Sequence, residues 1–373
     1  MPEKSPVLMI GPFPPPVHGF AEITRALAAQ LEASPGVMRV NTASALKPAL
    51  LRHIAQILRN LRAGGQVVRA PARGQHQLSL GCNAGWGLLY TLFHAALARG
   101  AGLDVALHHH SYAYINRHMR LMAMLCRIGG PRLTHVFLAE AMRESFCALY
   151  GDGLQTAILP NAIFVPAGGE KPPAPAPGGR PITLGLLSNL DADKGLHDFV
   201  ATARLLHRDA SANRLRMVLA GPIRSESDKQ LVMTAQAEGV LTWLGPLYGA
   251  DKRRFFDALD IFLFPTRYRH EAQPTVIYEA LASGVAVIAF DRGAIRDQVR
   301  DCLAVVPAGD DFAAAVQGAL RKLLSFGPED WAQLRVSARE RHARDITQGQ
   351  RTIAALFGGL TTRPDNDTAT RTK

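Results

Sequence analysis

Short apolar segments alternate with amphipathic ones along this chain, and the alternation runs twice. In the first series, VLMIG (7–11) leads through a proline- and glycine-rich loop into AEITRALAAQLEA (21–33), where Ile23, Ala26, Leu27 and Leu31 share a helical face. LSLGCNAGWGLLYTLFHAALA (78–98) reads as a buried strand followed by a helix, and Asn83, His94 and three glycines interrupt it too often for a membrane span. LDVALHHHS (103–111) and HVFLAE (135–140) are further strands, a helix through AMRESFCALYG follows, and AILPNAIF (157–164) closes the series. Strands separated by helices pair in parallel, and such a sheet is covered by helices on both faces.

PAGGEKPPAPAPGGR (166–180) is the clearest linker, because proline and glycine dominate it. Beyond it ITLGLLSNL (182–190), LRMVLAG (215–221), TWLG (242–245), DIFLFPT (260–266) and VAVIAF (285–290) restart the strands, and helical patterning runs from about 311 to 357. The fold class is therefore α/β, with two doubly wound, Rossmann-like domains facing across a cleft. The expected division is 1–165, the linker 166–180, 181–345, a terminal helix 346–358 and a polar, disordered tail 359–373. Open parallel sheets bind ligands beyond the carboxyl ends of their strands, so functional residues are sought just after strands.

The formal net charge of +11 favours anionic partners: phosphorylated substrates, anionic lipid or nucleic acid. No helix-turn-helix, zinc or RRM signature appears, which argues against nucleic acid. Four cysteines lie far apart without a CxxC pair, which argues against a disulfide framework or structural zinc and fits a reducing compartment. The apolar run before Pro12 is too short for a signal peptide, so a cytoplasmic location is expected. GPFPPPVHG is not the G-x-G-x-x-G of dinucleotide binding, which counts against the alternative of an NAD(P)-dependent oxidoreductase. A non-catalytic anionic-ligand-binding protein is the other alternative.

FPTRYRHEAQPTVIYEALASG (264–284) concentrates chemistry after a strand. Pro274 suits the first turn of a helix, and the free amides of Thr275, Val276 and Ile277 then form an anion site. Glu271 lies on the loop before that site and Glu279 on the helix beyond it. Carboxylates accept paired hydroxyl hydrogen bonds, so the layout matches a nucleotide sugar: sugar, phosphates, ribose. A capped amphipathic helix docked on a sheet has the same pattern.

EAQPTVIYEALASGVAVIAF, with its E-x7-E spacing, closely resembles the donor-site motif of retaining glycosyltransferases of the GT-B fold, family 4 (glycosyltransferase group 1). LSNLDADKG (187–195), VLAGP (218–222), LTWLGPL (241–247), LPNAIFV (159–165) and GPFPPPVHGFAEITRAL (11–27) resemble other family segments, in the family's order, so that the resemblance covers roughly 7–345. It implies that the carboxy-terminal domain binds the donor, that the amino-terminal domain binds the acceptor, and that the carboxy-terminal helices return to the amino-terminal domain. It also implies that Glu271 binds donor-sugar hydroxyls, Glu279 the ribose, and Lys194 the diphosphate, and that Gly19 lets backbone approach that phosphate. Where the family carries a second diphosphate contact, an arginine, this chain has Asn189, so either donor binding is weaker or another cation serves, Arg224 or Arg267. The family's double glycine in the first loop is His18-Gly19 here.

LHHHSYAYINRH (107–118) ends a strand in three histidines, with His108 and His110 on one side and His109 on the other. Core or capping roles and a metal site are both readings of the residues; no carboxylate or cysteine stands near, so no metal is assigned. The resemblance points to a histidine facing the donor sugar: His110 by position, with His108 next. PALLRHIAQILRNLRAGGQVVRAPARG (48–74) carries a stripe of Leu50, Leu51, Ile54, Ile57, Leu58 and Leu61 among Arg52, His53, Arg59 and Arg62, without one acid. Such a helix either packs on the sheet or lies on an anionic membrane. The basic, Met-rich run at 116–132 adds to the second reading. The expectation is a hexosyltransferase that needs no metal or other cofactor. It would move a sugar from a nucleotide-diphosphate donor to a glycan or lipid-linked acceptor in bacterial cell-surface polysaccharide synthesis, at the inner face of the cytoplasmic membrane.

Overall fold

Both apolar series form six-stranded, all-parallel sheets in the computed structural model, which describes residues 6–15, 19–32, 36–44, 46, 49–167, 180–209 and 212–358. The first sheet contains β1 (Val7–Gly11), β2 (Val37–Asn41), β3 (Gln77–Cys82), β4 (Asp104–His109), β5 (Leu133–Phe137) and β6 (Gln155–Ile158), in the order β2-β1-β3-β4-β5-β6. The helices between them are α1 (Gly19–Glu32), α2 (Ala49–Arg69), α3 (Leu88–Gly100), α4 (Arg120–Gly129) and α5 (Glu140–Tyr150). β1 is buried along its whole length because helices cover both faces of its sheet. The sequence reading missed β2, a half-exposed edge strand whose VMRVN is too polar to stand out.

The buried side of α1 differs from the expected one. Ala21, Thr24, Leu27, Ala28 and Leu31 are buried, whereas Ile23 and Ala26 are half-buried. Small side chains set this rotation, because a Cβ on Gly11 of β1 would come within 3.2 Å of Thr24, so helix and strand are in close contact.

The second sheet contains β7 (Ile182–Leu187), β8 (Leu215–Ala220), β9 (Thr242–Trp243), β10 (Ile261–Phe264), β11 (Ala286–Phe290) and β12 (Leu303–Val306), in the order β12-β11-β10-β7-β8-β9. Its helices are α6 (Leu196–His207), α7 (Glu226–Ala237), α8 (Gly249–Asp257), α9 (Thr275–Ala282), α10 (Ile295–Val299), α11 (Phe312–Leu323) and α12 (Pro328–Phe357). Asp260, wholly buried at the foot of β10, accepts from Arg180 (2.7 and 2.8 Å) and from Arg335 on α12 (2.7 Å), which fixes the start of this domain to its last helix.

Residues 346–357 do not form a helix of their own. They continue α12, whose 30 residues span about 45 Å. Trp331 and Ala338 pack in the second domain's core, and Phe357 packs with Val7 and Met9 in the first. Thr352 Oγ1 donates to Ile158 O (2.6 Å), and Gln77 Nε2 donates to Leu356 O (3.1 Å), so the last helix returns to the amino-terminal domain as expected. His18, most of the expected linker (168–179) and the expected tail (359–373) lie outside the described residues.

Candidate functional site

The loop between β10 and α9 carries Glu271, and its neighbours hold it tightly. Glu271 Oε2 accepts from Lys194 Nζ at 2.5 Å and from Thr266 Oγ1 at 3.1 Å. Lys194 stands at the end of the turn after β7 and also lies 5.0 Å from the centre of the Tyr268 ring. Two glycines make this approach possible. Gly195 (φ 79°) presses against Pro265 O, and Gly293 (φ 55°) against Glu271 O, both in a left-handed conformation that side chains other than glycine rarely adopt.

Pro274 stands at the N-cap of α9, with extended backbone, one residue before the first turn in which it was expected. Of the three amides behind it, Ile277 N donates to Pro274 O (3.2 Å), which removes it from the expected anion site and leaves Thr275 and Val276. One turn along α9, the Glu279 carboxylate meets Lys252 Nζ of α8 at 2.6 Å. Burial pushes the Glu279 carboxyl above the usual carboxylate range, and Lys252 pulls it back. Beside the pair opens a cavity of about 240 Å³, lined by Val165, Gly249, Phe256 and Ser283 among others.

Asn189 and Arg224 are exposed in the loops after β7 and β8. Arg267, the other substitute cation considered, is committed elsewhere: its Nε and Nη2 each lie 2.6 Å from the Asp198 carboxylate on α6. Its guanidinium also stacks 5.0 Å from Phe290, so of the two candidates it is Arg224 that has no such commitment among the described residues.

The amino-terminal side is built from histidines. His108 and His110 lie on one side of β4, their rings 6.3 Å apart, and His109 lies on the other, as strand alternation requires. His108 Nε2 is 3.1 Å from Ser79 Oγ, while His109 bridges Tyr114 OH (3.0 Å) and His135 Nδ1 (2.9 Å). Burial pushes His108 and His135 down to about 4, and burial with the neighbouring His108 pushes His110 down to about 3. These rings are neutral at ordinary pH. His108 and His109 belong to the core, whereas His110 is half-buried, has a buried Nδ1 with no hydrogen-bond partner among the described residues, and sits 4.9 Å from Phe20. A Cβ added to Gly19, next to Phe20, would enter open space.

The structure thus joins Lys194 to Glu271 directly and places Glu279, Thr275 and Val276 on the helix that follows. Gly19 and His110 follow β1 and β4 in the other domain. Thr266, Lys252, Tyr268 and Gln273 are site neighbours the sequence reading missed. Thr266 lies five residues before Glu271, close enough for spacing to have shown it; Lys252 comes from a separate helix and left no local signal.

Residues 181–325 match the family model of glycosyl transferases group 1. A GDP-mannose-dependent alpha-mannosyltransferase of Mycolicibacterium smegmatis is 30% identical over 151 residues, which is 40% of this chain and 36% of the relative, so the match spans about a third of that protein's length. Anabaena HepE, solved in complex with UDP, superposes with a TM-score of 0.65 at 15% identity, covering 94% of this chain and 99% of that one. The lipopolysaccharide outer core galactosyltransferase WaaB superposes with a TM-score of 0.65 at 12% identity, covering 94% and 99%. At such identities the likeness concerns the fold. The chain has the two-domain GT-B fold, and its residues 181–325 form a glycosyl transferases group 1 domain.

Proposed function

We propose that the protein is a nucleotide-sugar-dependent, retaining hexosyltransferase. The observation that carries this reading is the Lys194–Glu271 pair beyond the carboxyl ends of β7 and β10, eight residues before Glu279. A cation and a carboxylate that satisfy each other in the free protein are released together by a ligand with one anionic and one hydroxylated part. The donor diphosphate takes Lys194, with the Thr275 and Val276 amides and Arg224 or Asn189 alongside. The freed Glu271 accepts the sugar hydroxyls, Glu279 the ribose, and His110 orients the sugar. Gly19 leaves room for the phosphate. The leaving phosphate, stabilised by these donors, assists deprotonation of the acceptor on the same face of the sugar, so no protein nucleophile and no metal are needed.

The acceptor is a glycan or lipid-linked sugar in cell-surface polysaccharide synthesis, met at the inner face of the cytoplasmic membrane. In support of this, Leu50, Leu51, Ile54, Ile57, Leu58 and Leu61 of α2 are all exposed, from 46% to 72%. Asn60 O of α2 meets His94 of α3 (3.1 Å), and a Cβ on Gly64 would strike Phe93 and Leu97, so α3 packs against the second half of α2. Trp86 (85% exposed), just before α3, and Leu89 and Phe93 on α3 are exposed apolar side chains as well. The run 116–132 adds charge and Met124, while its Met122 and Leu125 are buried in the first domain. Among the described residues no helix is long and apolar enough to cross a membrane, so contact would be peripheral.

The test is a panel of UDP- and GDP-sugars with membrane extract, scored for transfer to lipid and glycan, with the anomeric configuration of the product read by NMR and a chelator arm. Transfer with retention, unchanged by the chelator, is expected. Failure of every donor to bind or react sinks the reading, and an inverted product sinks the mechanism.

A further inference from the structure

The site argument leaves one buried side chain without a role. Gln273 follows Glu271 by two residues, on the same loop of the carboxy-terminal domain, yet both ends of its amide are spent on the amino-terminal domain. Its Oε1 accepts from Asn161 N (2.7 Å), and its Nε2 donates to Leu138 O (2.9 Å). Asn161 Nδ2 donates in return to Gln273 O (2.7 Å). Gln273 and Asn161 are 5% and 1% exposed, so these bonds are sheltered from water. On the other side of Glu271, Asn116 Nδ2 donates to Arg269 O (2.8 Å). Ala272 packs within the first domain's apolar core, although its carbonyl accepts from Ala294 N of the second (2.8 Å).

Glu271 therefore sits between two points, 269 and 272–273, at which the loop is fastened to the opposite domain. Leu138 directly follows β5 and Asn161 comes three residues after β6, so the fastening reaches the end of the first sheet. Domains of one chain move relative to each other by default. Any such movement either breaks these buried bonds, leaving polar groups unpaired at a cost of about 1–3 kcal/mol each, or carries residues 269–273 along. In the second case Glu271 shifts against Lys194, which is held by the other domain's turn.

We propose that Gln273 is a positioning residue that makes the placement of Glu271, and with it the Lys194–Glu271 pair, depend on the position of the acceptor-side domain. This rests on the glycosyltransferase reading and deepens it: acceptor-side domain movement is read at the donor carboxylate through the Gln273 amide. The geometry of reacting groups is sensitive at the ångström scale, so a loosened loop lowers turnover more than it lowers nucleotide binding.

The experiment uses the full chain with Gln273→Met, which keeps the side chain's length and removes both polar ends, and with Asn116→Ala, an exposed change that does not threaten folding. Three quantities are read: binding of UDP and GDP by calorimetry, kcat and KM with the donor found active, and amide hydrogen exchange. For Gln273→Met the expected result is nucleotide affinity within about twofold, kcat at least about tenfold lower, and exchange of residues 266–276 at least about tenfold faster, with 182–190 unchanged. For Asn116→Ala the same pattern is expected at about threefold. Unchanged kcat in both variants, or loss of nucleotide affinity in parallel with kcat, overturns the proposal. If the wild-type chain binds neither UDP nor GDP, the parent reading has failed, and exchange alone judges the latch: equal exchange at 266–276 in wild type and both variants overturns it. Should Gln273→Met not fold, Asn116→Ala decides.

Discussion

On the carboxy-terminal side of the cleft, carboxylates are matched to cations: Glu271 with Lys194, Glu279 with Lys252, Asp198 with Arg267. On the amino-terminal side, half-buried His110 follows β4 with His108, His109 and His135 buried in the core behind it, and burial holds all four neutral. One wall stores charge as exchangeable pairs; the other removes it. An anionic donor exchanging into existing pairs avoids leaving a bare buried charge, whereas a neutral wall favours a hydroxylated ring or an apolar acceptor.

Asp260 tests the first half of the contrast most severely. It is wholly buried and bridges Arg180 and Arg335, so Asp260→Ala removes a buried carboxylate that both guanidiniums share. A loss of about 3–5 kcal/mol in unfolding free energy is expected, read by urea denaturation. A change below about 1 kcal/mol would show that the pairing is incidental to this domain.

Next in size is Lys194→Ala. Removing a preorganised donor to developing charge lowers catalytic rates by about 100- to 1000-fold, and transfer is expected to fall by that much while circular dichroism stays native. Near-wild-type turnover would break the link between the Lys194–Glu271 pair and the donor.

The two walls should also answer pH with opposite signs. His108 and His135 (about 4) and His110 (about 3) titrate in the folded state below the ordinary 6.5. The unfolded chain therefore takes up protons first as pH falls below 6.5, and stability is lost progressively from 6.5 down towards 4 and 3. Each such histidine contributes a slope of about 1.4 kcal/mol per pH unit inside that window. The raised carboxyl of Glu279 works the other way: its contribution is present at low pH and is lost as pH rises from the ordinary carboxylate value through the raised one. Urea midpoints from pH 7 to pH 4.5 check this, with His108→Gln expected to flatten the histidine slope by one group's share. A slope that His108→Gln leaves unchanged would remove His108 from the account.

How much of this was legible depended on how far apart the partners lie. β1, β4, β7, β10 and β11 were visible because strands buried on both faces are unbroken apolar runs. β2 and β12 were not identified, being edge strands with half-buried residues. The spacing of Glu271 and Glu279 and the proline start of α9 were visible because that chemistry is local. Lys252, which closes on Glu279 from another helix, and Asn161, which meets Gln273 across the domain boundary, depend on tertiary placement and left no local pattern. The exposed leucines of α2 show the converse. Their periodicity was plain, but only the packing shows that Ala63 and Val67, not the leucine stripe, face the protein.

That last distinction gives the smallest expected effect on stability. Ile54 and Ile57 are each 46% exposed, so Ile54→Ser with Ile57→Ser should change unfolding free energy by no more than about 0.5 kcal/mol. Val67, on the same helix and 0% exposed, is the control: Val67→Ser should cost about 1–3 kcal/mol. Binding to phosphatidylglycerol vesicles should reverse the order. The double serine variant should weaken it at least about tenfold, since two apolar side chains are lost from the proposed contact, and Val67→Ser should leave it unchanged in the folded protein. Binding by the wild type should fall with added salt, because Arg52, Arg59 and Arg62 flank the stripe. A double variant that loses stability instead would mean the stripe already packs on protein in solution, and the proposed membrane contact would lose its support.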